Sequence, residues 1–417
     1  MLMYIALDSS IMNDMSIFAS VGHAAGGNPA TVGADAYQHA LKNLGDKKPT
    51  IAFVFSSVSY EQEAMLSGVE SVAGGVPIVG CSTAGEIVTE GPLETSSVAV
   101  MIISATPESL TATVGIGVNA KSNERKSGQT AAQEVVNIVG GKEKLRGFIM
   151  LADGLAGNGA EIVRGVLDVL GEHFPVVGGS AGDDFKFKQT YQYGKGVVHS
   201  GDVVGVGLSG DFTFGIGVKH GWGVLGVPAK VTKSAGHIVH EIDDKPAMEL
   251  YEKYFGERAK TIKEEVLATL AVSYPLGVKT PGSDEEYLIR DPLFVGEDGS
   301  ITCAAEIPTG SEVRIMMGTR ESAITMAKQA AENAREQLGG KTPKAILIFN
   351  CIARKKLLGM RGGEEIDAIR NVLGRDVPLI GFYTYGEQAP INGESRNIER
   401  CNTVFHNETV VIYVIAE

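Results

Sequence analysis

Three turns in the chain place one carboxylate directly after a glycine and beside side-chain hydroxyls. They are Gly80-Cys81-Ser82-Thr83-Ala84-Gly85-Glu86, Gly178-Gly179-Ser180-Ala181-Gly182-Asp183 and Gly381-Phe382-Tyr383-Thr384-Tyr385-Gly386-Glu387. A glycine such as Gly85, Gly182 or Gly386 lets the backbone approach a ligand closely. The hydroxyls of Ser82, Thr83, Ser180, Tyr383, Thr384 and Tyr385 fix its orientation, and Glu86, Asp183 or Glu387 pairs with an ammonium or guanidinium group. Such a set suits a small zwitterion or polyol. The plainer alternative is that each acid ties down its own turn by accepting backbone N–H bonds.

Asp153, followed by Gly154 and Asn158, ends an apolar run, and Arg354 holds the corresponding place after Cys351. A planar guanidinium facing a pocket clamps a carboxylate through two donors; on a surface it forms an ion pair. His220 sits beside the single tryptophan, Trp222, and is either a structural histidine or an axial ligand to haem. His237 and His240 lack the companions of a metal site, so no metal ligand is assigned. Cys81 has no histidine in its turn and reads as a small buried residue rather than a nucleophile. Gly205-Val206-Gly207-Leu208-Ser209-Gly210 has the GxGxxG spacing, but the alternating segment 212–218 follows it, not the helix that would receive a pyrophosphate. No catalytic residue is assigned.

The elements that must position these turns recur along the chain. Pro77, Pro175 and Pro378 each open a short apolar strand leading into a turn, and a continuous apolar run lies upstream of each, at 51–55, 148–151 and 345–349. Between run and proline the second copy has Ile162, Val163, Val166, Leu167 and Leu170 on one helical face, and the third has Ile366, Ile369, Val372 and Leu373. Gly74, Gly171 and Gly374 close these helices. A strand, a helix and a second strand in this order make a parallel βαβ unit. Another amphipathic helix precedes each unit (34–44, 130–139, 322–338), and a strand follows it (97–103, 203–208, 409–415). The turns fall at the carboxyl ends of the strands, where open parallel sheets bind ligands.

The third copy begins after an insert at about 219–320, with a hairpin expected at 224–233, a helix between Pro246 and Gly256, a second at 260–272, and antiparallel strands near 286–289, 301–306 and 313–317. The fold class expected is α/β, with repeated βαβ units forming mixed, mostly parallel sheets in two sections. The N-terminal section, 1–218, holds two copies; the C-terminal section, 219–417, holds an α+β insert and the third.

The net charge of −13 over 417 residues disfavours nucleic acid and anionic membrane as partners. The four cysteines are far apart, the apolar start 1–7 lacks a basic flank and reads as a first strand, and no apolar run is long enough to span a bilayer. A cytoplasmic location is expected.

The first two turns resemble signatures of the N-terminal FIST section, and the third, with His406-Asn407-Glu408-Thr409, resembles the C-terminal FIST section. Val231-Thr232, Asp243 and Pro246-Ala247 also fit that family's pattern. The resemblance implies a non-catalytic signal-transduction input module that binds a small ligand such as an amino acid or related metabolite, without a cofactor. Some proteins of this type are haem-based nitric-oxide sensors, which keeps haem as an alternative with His220 as the first candidate ligand and His199 the second. A hydrolase or transferase using Cys81 or the acids is a further alternative. Family members are often fused to a kinase or cyclase; here both sections use the whole length, so the expected output partner is separately encoded.

Overall fold

The computed structural model describes residues 17–93, 96–256, 270–280, 287–396 and 398–417. The strand expected at 1–7 and most of the helix expected at 260–272 lie outside these residues.

Each copy is built in the same order. An edge strand comes first (Ile17–Ala25, Thr111–Gly117, Thr213–Lys219), then a helix (Pro29–Leu44, Glu124–Val139, Arg320–Gln337) and the first buried strand (Ile51–Ser57, Leu145–Ala152, Pro343–Cys351). A second helix (Gln62–Ala73, Gly159–Leu170, Gly362–Leu373) leads to the second buried strand (Ile78–Thr83, Val176–Ser180, Leu379–Thr384). A strand hairpin and a return strand (Ser97–Ala105, Val203–Ser209, Val410–Ala416) complete the copy. Local chemistry sets the helix ends: Asn28, Glu61, Asn123, Asn158 and Thr319 cap helix N-termini by accepting backbone N–H bonds. Gly74 and Gly140 stop theirs in the left-handed conformation.

The glycine that begins each turn has a packing cause. It lies beside a residue of the first buried strand, and a Cβ there would come within 1.7 Å of the Val54 carbonyl oxygen at Gly80, 1.9 Å of Met150 at Gly178 and 2.3 Å of Ile348 at Gly381.

The copies are joined by exchanged hairpins. The hairpin after turn one (Glu86–Val88 and Gly91–Pro92) completes the sheet of copy three, pairing Val88 with Ile380. The hairpin after turn three (Glu387–Pro390 and Thr403–His406) completes the sheet of copy two, pairing Glu387 with Gly179. The hairpin after turn two (Gln192–Gly194 and Val197–His199) completes the sheet of copy one, pairing Tyr193 with Gly80. The exchange is cyclic, and three six-stranded sheets result.

This corrects the expected sheet type. Each six-stranded sheet has one parallel pair, the two buried strands of the βαβ unit. Edge, return and hairpin strands all run antiparallel, so the sheets are mixed and mainly antiparallel. The apolar runs gave no sign of this, because a strand buried on both faces has the same composition whichever way its neighbour runs.

One face of each sheet enters a common core, where Phe53, Phe55, Leu151, Val206, Phe349, Phe382 and Tyr413 meet. The other face packs on that copy's helices. The insert lies between the edge strand and first helix of copy three and forms an antiparallel nine-stranded sheet around its own core of Val231, Tyr251, Ile301 and Ile315. Its first hairpin is Ala229–Ala235 with Ile238–Ile242, later than expected, while Trp222–Val224 pairs with Glu312–Gly318. The helix expected after Pro246 runs Met248–Phe255. Among the described residues no helix is long and apolar enough to cross a membrane.

Candidate functional site

The three turns meet. Turn one bonds to turn three through Ala84 N–H to the Tyr383 carbonyl (2.9 Å) and Tyr383 N–H to the Gly85 carbonyl (2.8 Å). Turn three bonds to turn two through Ser180 N–H to Gly386 (2.8 Å) and Tyr385 N–H to Ser180 (3.1 Å). Turn two closes the ring through Gly182 N–H to Ser82 (3.0 Å), while the Ser82 hydroxyl donates to the Gly182 carbonyl (2.9 Å).

Within this ring the carboxylates are engaged by the protein. Glu86 accepts from the Thr83 hydroxyl at 2.6 Å and from Ser97, and Glu387 accepts from Thr384 and from Thr409 N–H at 3.2 Å. Burial raises Glu86 to about 7 and Glu387 to about 8, because these hydroxyl donors only partly offset the loss of water. Asp183 differs. Burial pushes its pKa up, but the Tyr385 hydroxyl and the N–H groups of Lys188, Gln189 and Phe187 outweigh it and hold the carboxyl below its usual range. Ser180 accepts from Gln388 (3.1 Å), and Tyr383 is buried beneath the Lys355 ammonium, 5.2 Å from its ring.

Of the other candidates, Asp153 caps its own turn, accepting from Leu155 N–H and Gly201 N–H, both at 2.7 Å. Arg354 is fully buried with Glu365, whose second oxygen accepts from Asn350 at 2.7 Å. Arg354 also donates to the carbonyls of Ala323 (2.8 Å) and His220. Cys81 is fully buried, and burial together with Glu86 raises its thiol well above the ordinary value, opposite to what a nucleophile needs.

His220 accepts the Trp222 N–H on Nδ1 (3.0 Å), so its neutral ring carries the proton on Nε2. An axial haem ligand needs that lone pair free, usually with Nδ1 donating. His199 is held by Asp202 on Nδ1 (3.0 Å) and lies near the Gly194 carbonyl on Nε2 (3.3 Å). Neither histidine fits a haem iron. Among the described residues no group of three or more His, Cys, Asp or Glu side chains is placed to hold a metal ion.

A cavity of about 330 Å³ lies at the carboxyl end of copy three, roofed by the insert. Its walls are Lys219, His220 and Trp222 from the edge-strand segment, Thr280 and Tyr287 from the insert, Ser322 and Met326 from the first helix, and Asn392, His406 and Thr409 from the core. Two sequence candidates stand directly behind this wall: Arg354 bonds to the His220 carbonyl and Glu387 to the Thr409 N–H. Glu86, Asp183, Ser82, Ser180 and Asp153 do not line it. Burial, with Arg354 beside it, lowers His220 to about 3, and burial lowers His406 to about 4, so both imidazoles are neutral. The Thr280 hydroxyl is buried with no hydrogen-bond partner among the described residues, as are both carboxylate oxygens of Glu408.

Sequence reasoning singled out His220 and Trp222 but missed Lys219, Thr280, Tyr287 and Asn392. The His406–Thr409 motif was the only signal for the far wall. Three larger clefts, of about 610, 530 and 670 Å³, repeat at the opposite, amino-terminal ends of the buried strands beside Pro175, Pro77 and Pro378. They fall where loops of open α/β sheets do not usually deliver binding groups.

Residues 50–245 match the FIST N domain and residues 247–390 the FIST C domain. The chain belongs to the FIST family, a non-catalytic class of signal-transduction sensor modules that bind small molecules and couple to output proteins. An uncharacterized protein of Mycobacterium tuberculosis is 23% identical over 370 residues, covering 87% of this chain and 92% of that one. An uncharacterized protein of Methanocaldococcus jannaschii is 39% identical over 98 residues, which is 23% of this chain and only 19% of the relative's length. A chorismatase structure aligns over 97% of this chain and 99% of its own at 10% identity with a TM-score of 0.36. A cyanuric acid hydrolase aligns over 96% and 99% at 8% identity with a TM-score of 0.35. At such scores the likeness carries no argument about activity.

Proposed function

We propose that this protein is the input half of a signalling pair, and that a small metabolite of amino-acid size binds in the cavity between the insert and copy three. The observation that carries this reading is the origin of the walls: Lys219, Ser322, Met326 and Thr409 belong to copy three, Thr280 and Tyr287 to the insert. A ligand held by both couples the insert to the three-copy core. It acts as a signal only if it favours one disposition of the insert over another. The three Gly-acid turns then serve as the frame, with Glu387 and Arg354 fixing the wall residues Thr409 and His220. A kinase or cyclase output module reads the change.

The test is a thermal-shift screen of amino acids and related metabolites on the wild-type protein and on Met326→Trp, which fills the cavity from the helix side. A metabolite at a hundred times its Kd adds about 2.7 kcal/mol of stability. The reading expects one metabolite class to stabilise the wild type and to lose that effect in Met326→Trp, whose own melting remains cooperative. Stabilisation that persists undiminished in the filled variant would place the ligand elsewhere.

A further inference from the structure

The cavity's charge is more specific than its volume. Among the described residues no Asp or Glu lines it, and the one charged wall residue is Lys219. The Lys219 ammonium contacts the Asn392 side-chain oxygen at 3.4 Å, a neutral acceptor, and among the described residues no carboxylate pairs with it. Both wall imidazoles are neutral. His406 uses Nε2–H on the Ala389 carbonyl (3.0 Å), and His220 receives the Trp222 N–H on Nδ1. Burial raises the carboxyl of Glu387, which bonds a wall residue, to about 8 and pushes that of Glu408, which precedes one, well above its ordinary value. Arg354 lies behind His220 with its guanidinium 5.9 Å from the Trp222 ring and is matched by Glu365. The remaining surface is mostly apolar, with Trp222, Tyr287, Leu288 and Met326 its largest side chains; the Ser322 and Thr409 hydroxyls donate to the carbonyls of Gly221 and Asn407, and the buried Thr280 hydroxyl lacks a partner among the described residues.

We infer that the cavity takes a compact monoanion: a carboxylate paired with Lys219 and hydrogen-bonded to Thr280, carried on a small planar or apolar body that packs against Trp222 and Tyr287. This rests on the cavity being the sensing site and narrows its ligand. A carboxylate supplies the counter-charge that Lys219 lacks and the partner that Thr280 lacks, and the aromatic walls bury the body. A second, cationic group on the ligand finds no carboxylate among the described residues that line the cavity. An α-amino acid is therefore a poorer fit than the corresponding acid without its ammonium group.

Benzoate, benzamide and benzylamine share one ring and differ in charge, and Trp222, the only tryptophan, reports directly from the wall. Each probe is titrated against the full-length protein by tryptophan emission and thermal shift, in the wild type, Lys219→Met and Lys219→Arg. The expected result is saturable binding of benzoate at least about tenfold tighter than benzamide, with benzylamine weaker still. Lys219→Met should lose about tenfold for benzoate while leaving benzamide unchanged, and Lys219→Arg should restore most of the loss. Equal binding of benzamide or benzylamine at Trp222, or benzoate binding indifferent to Lys219→Met, would overturn the anion preference and leave the cavity as the site. Silence from all three probes in both readouts would defeat this inference and count against the cavity itself.

Discussion

Glu86 and Glu387 are buried acids whose carboxyls, raised to about 7 and about 8 from the ordinary 4.5, keep their protons where an unfolded chain would release them. The native state therefore binds more protons than the unfolded state between pH 4.5 and 8. Stability from these groups is fully present below that window and falls as pH rises through it. Thermal melts of the wild type and Glu387→Gln at pH 5 and pH 8 should show a smaller loss in the variant, which cannot ionise; equal losses would contradict the assignment. Arg354 and Glu365 show the opposite case, a charged pair with neither side chain exposed. Arg354→Met strands Glu365 in the core and should cost about 3–5 kcal/mol in urea denaturation, more than the double variant with Glu365→Gln. The sequence made Glu86, Glu387 and Arg354 visible as candidates but not their partners. Arg354 read equally well as a clamp or an ion pair, because its match lies on the next helix and its other acceptors are carbonyls far along the chain.

At the scale of elements, the helix-closing glycines were legible because their cause is local. Gly171, read as the end of a helix, acts within a turn of its own position, whereas Asn158, noted only beside Asp153, is that helix's N-cap. Gly80 carries a sharper prediction: a Cβ there would meet the Val54 carbonyl oxygen at 1.7 Å, backbone that cannot yield. Gly80→Val should destabilise by about 3 kcal/mol or abolish soluble expression, whereas the same change at the open Gly363 should be mild. Strand direction and partner were not legible. Hydropathy marks Leu379–Thr384 as buried without revealing that its neighbour is Glu86–Val88 from the other end of the chain. The insert was the hardest segment, since its short strands pair across long separations, such as Ala229 with Val313.

At the scale of the molecule, the exchange of hairpins around three copies makes each sheet depend on another copy, and the common core draws on all of them. The three copies should unfold in one calorimetric transition, with van't Hoff and calorimetric enthalpies agreeing for that transition. The insert, with a core of its own, is the part able to melt separately, and ligand should raise its transition first. Separate transitions for the individual copies would contradict the interlocked arrangement. The central claim is that the sensing site is the cavity between insert and copy three. Its most direct test follows the emission of Trp222 during titration with whichever metabolite stabilises the protein. The expected result is a saturable emission change with the same Kd as the thermal stabilisation. Stabilisation by that metabolite with unchanged Trp222 emission would contradict the account.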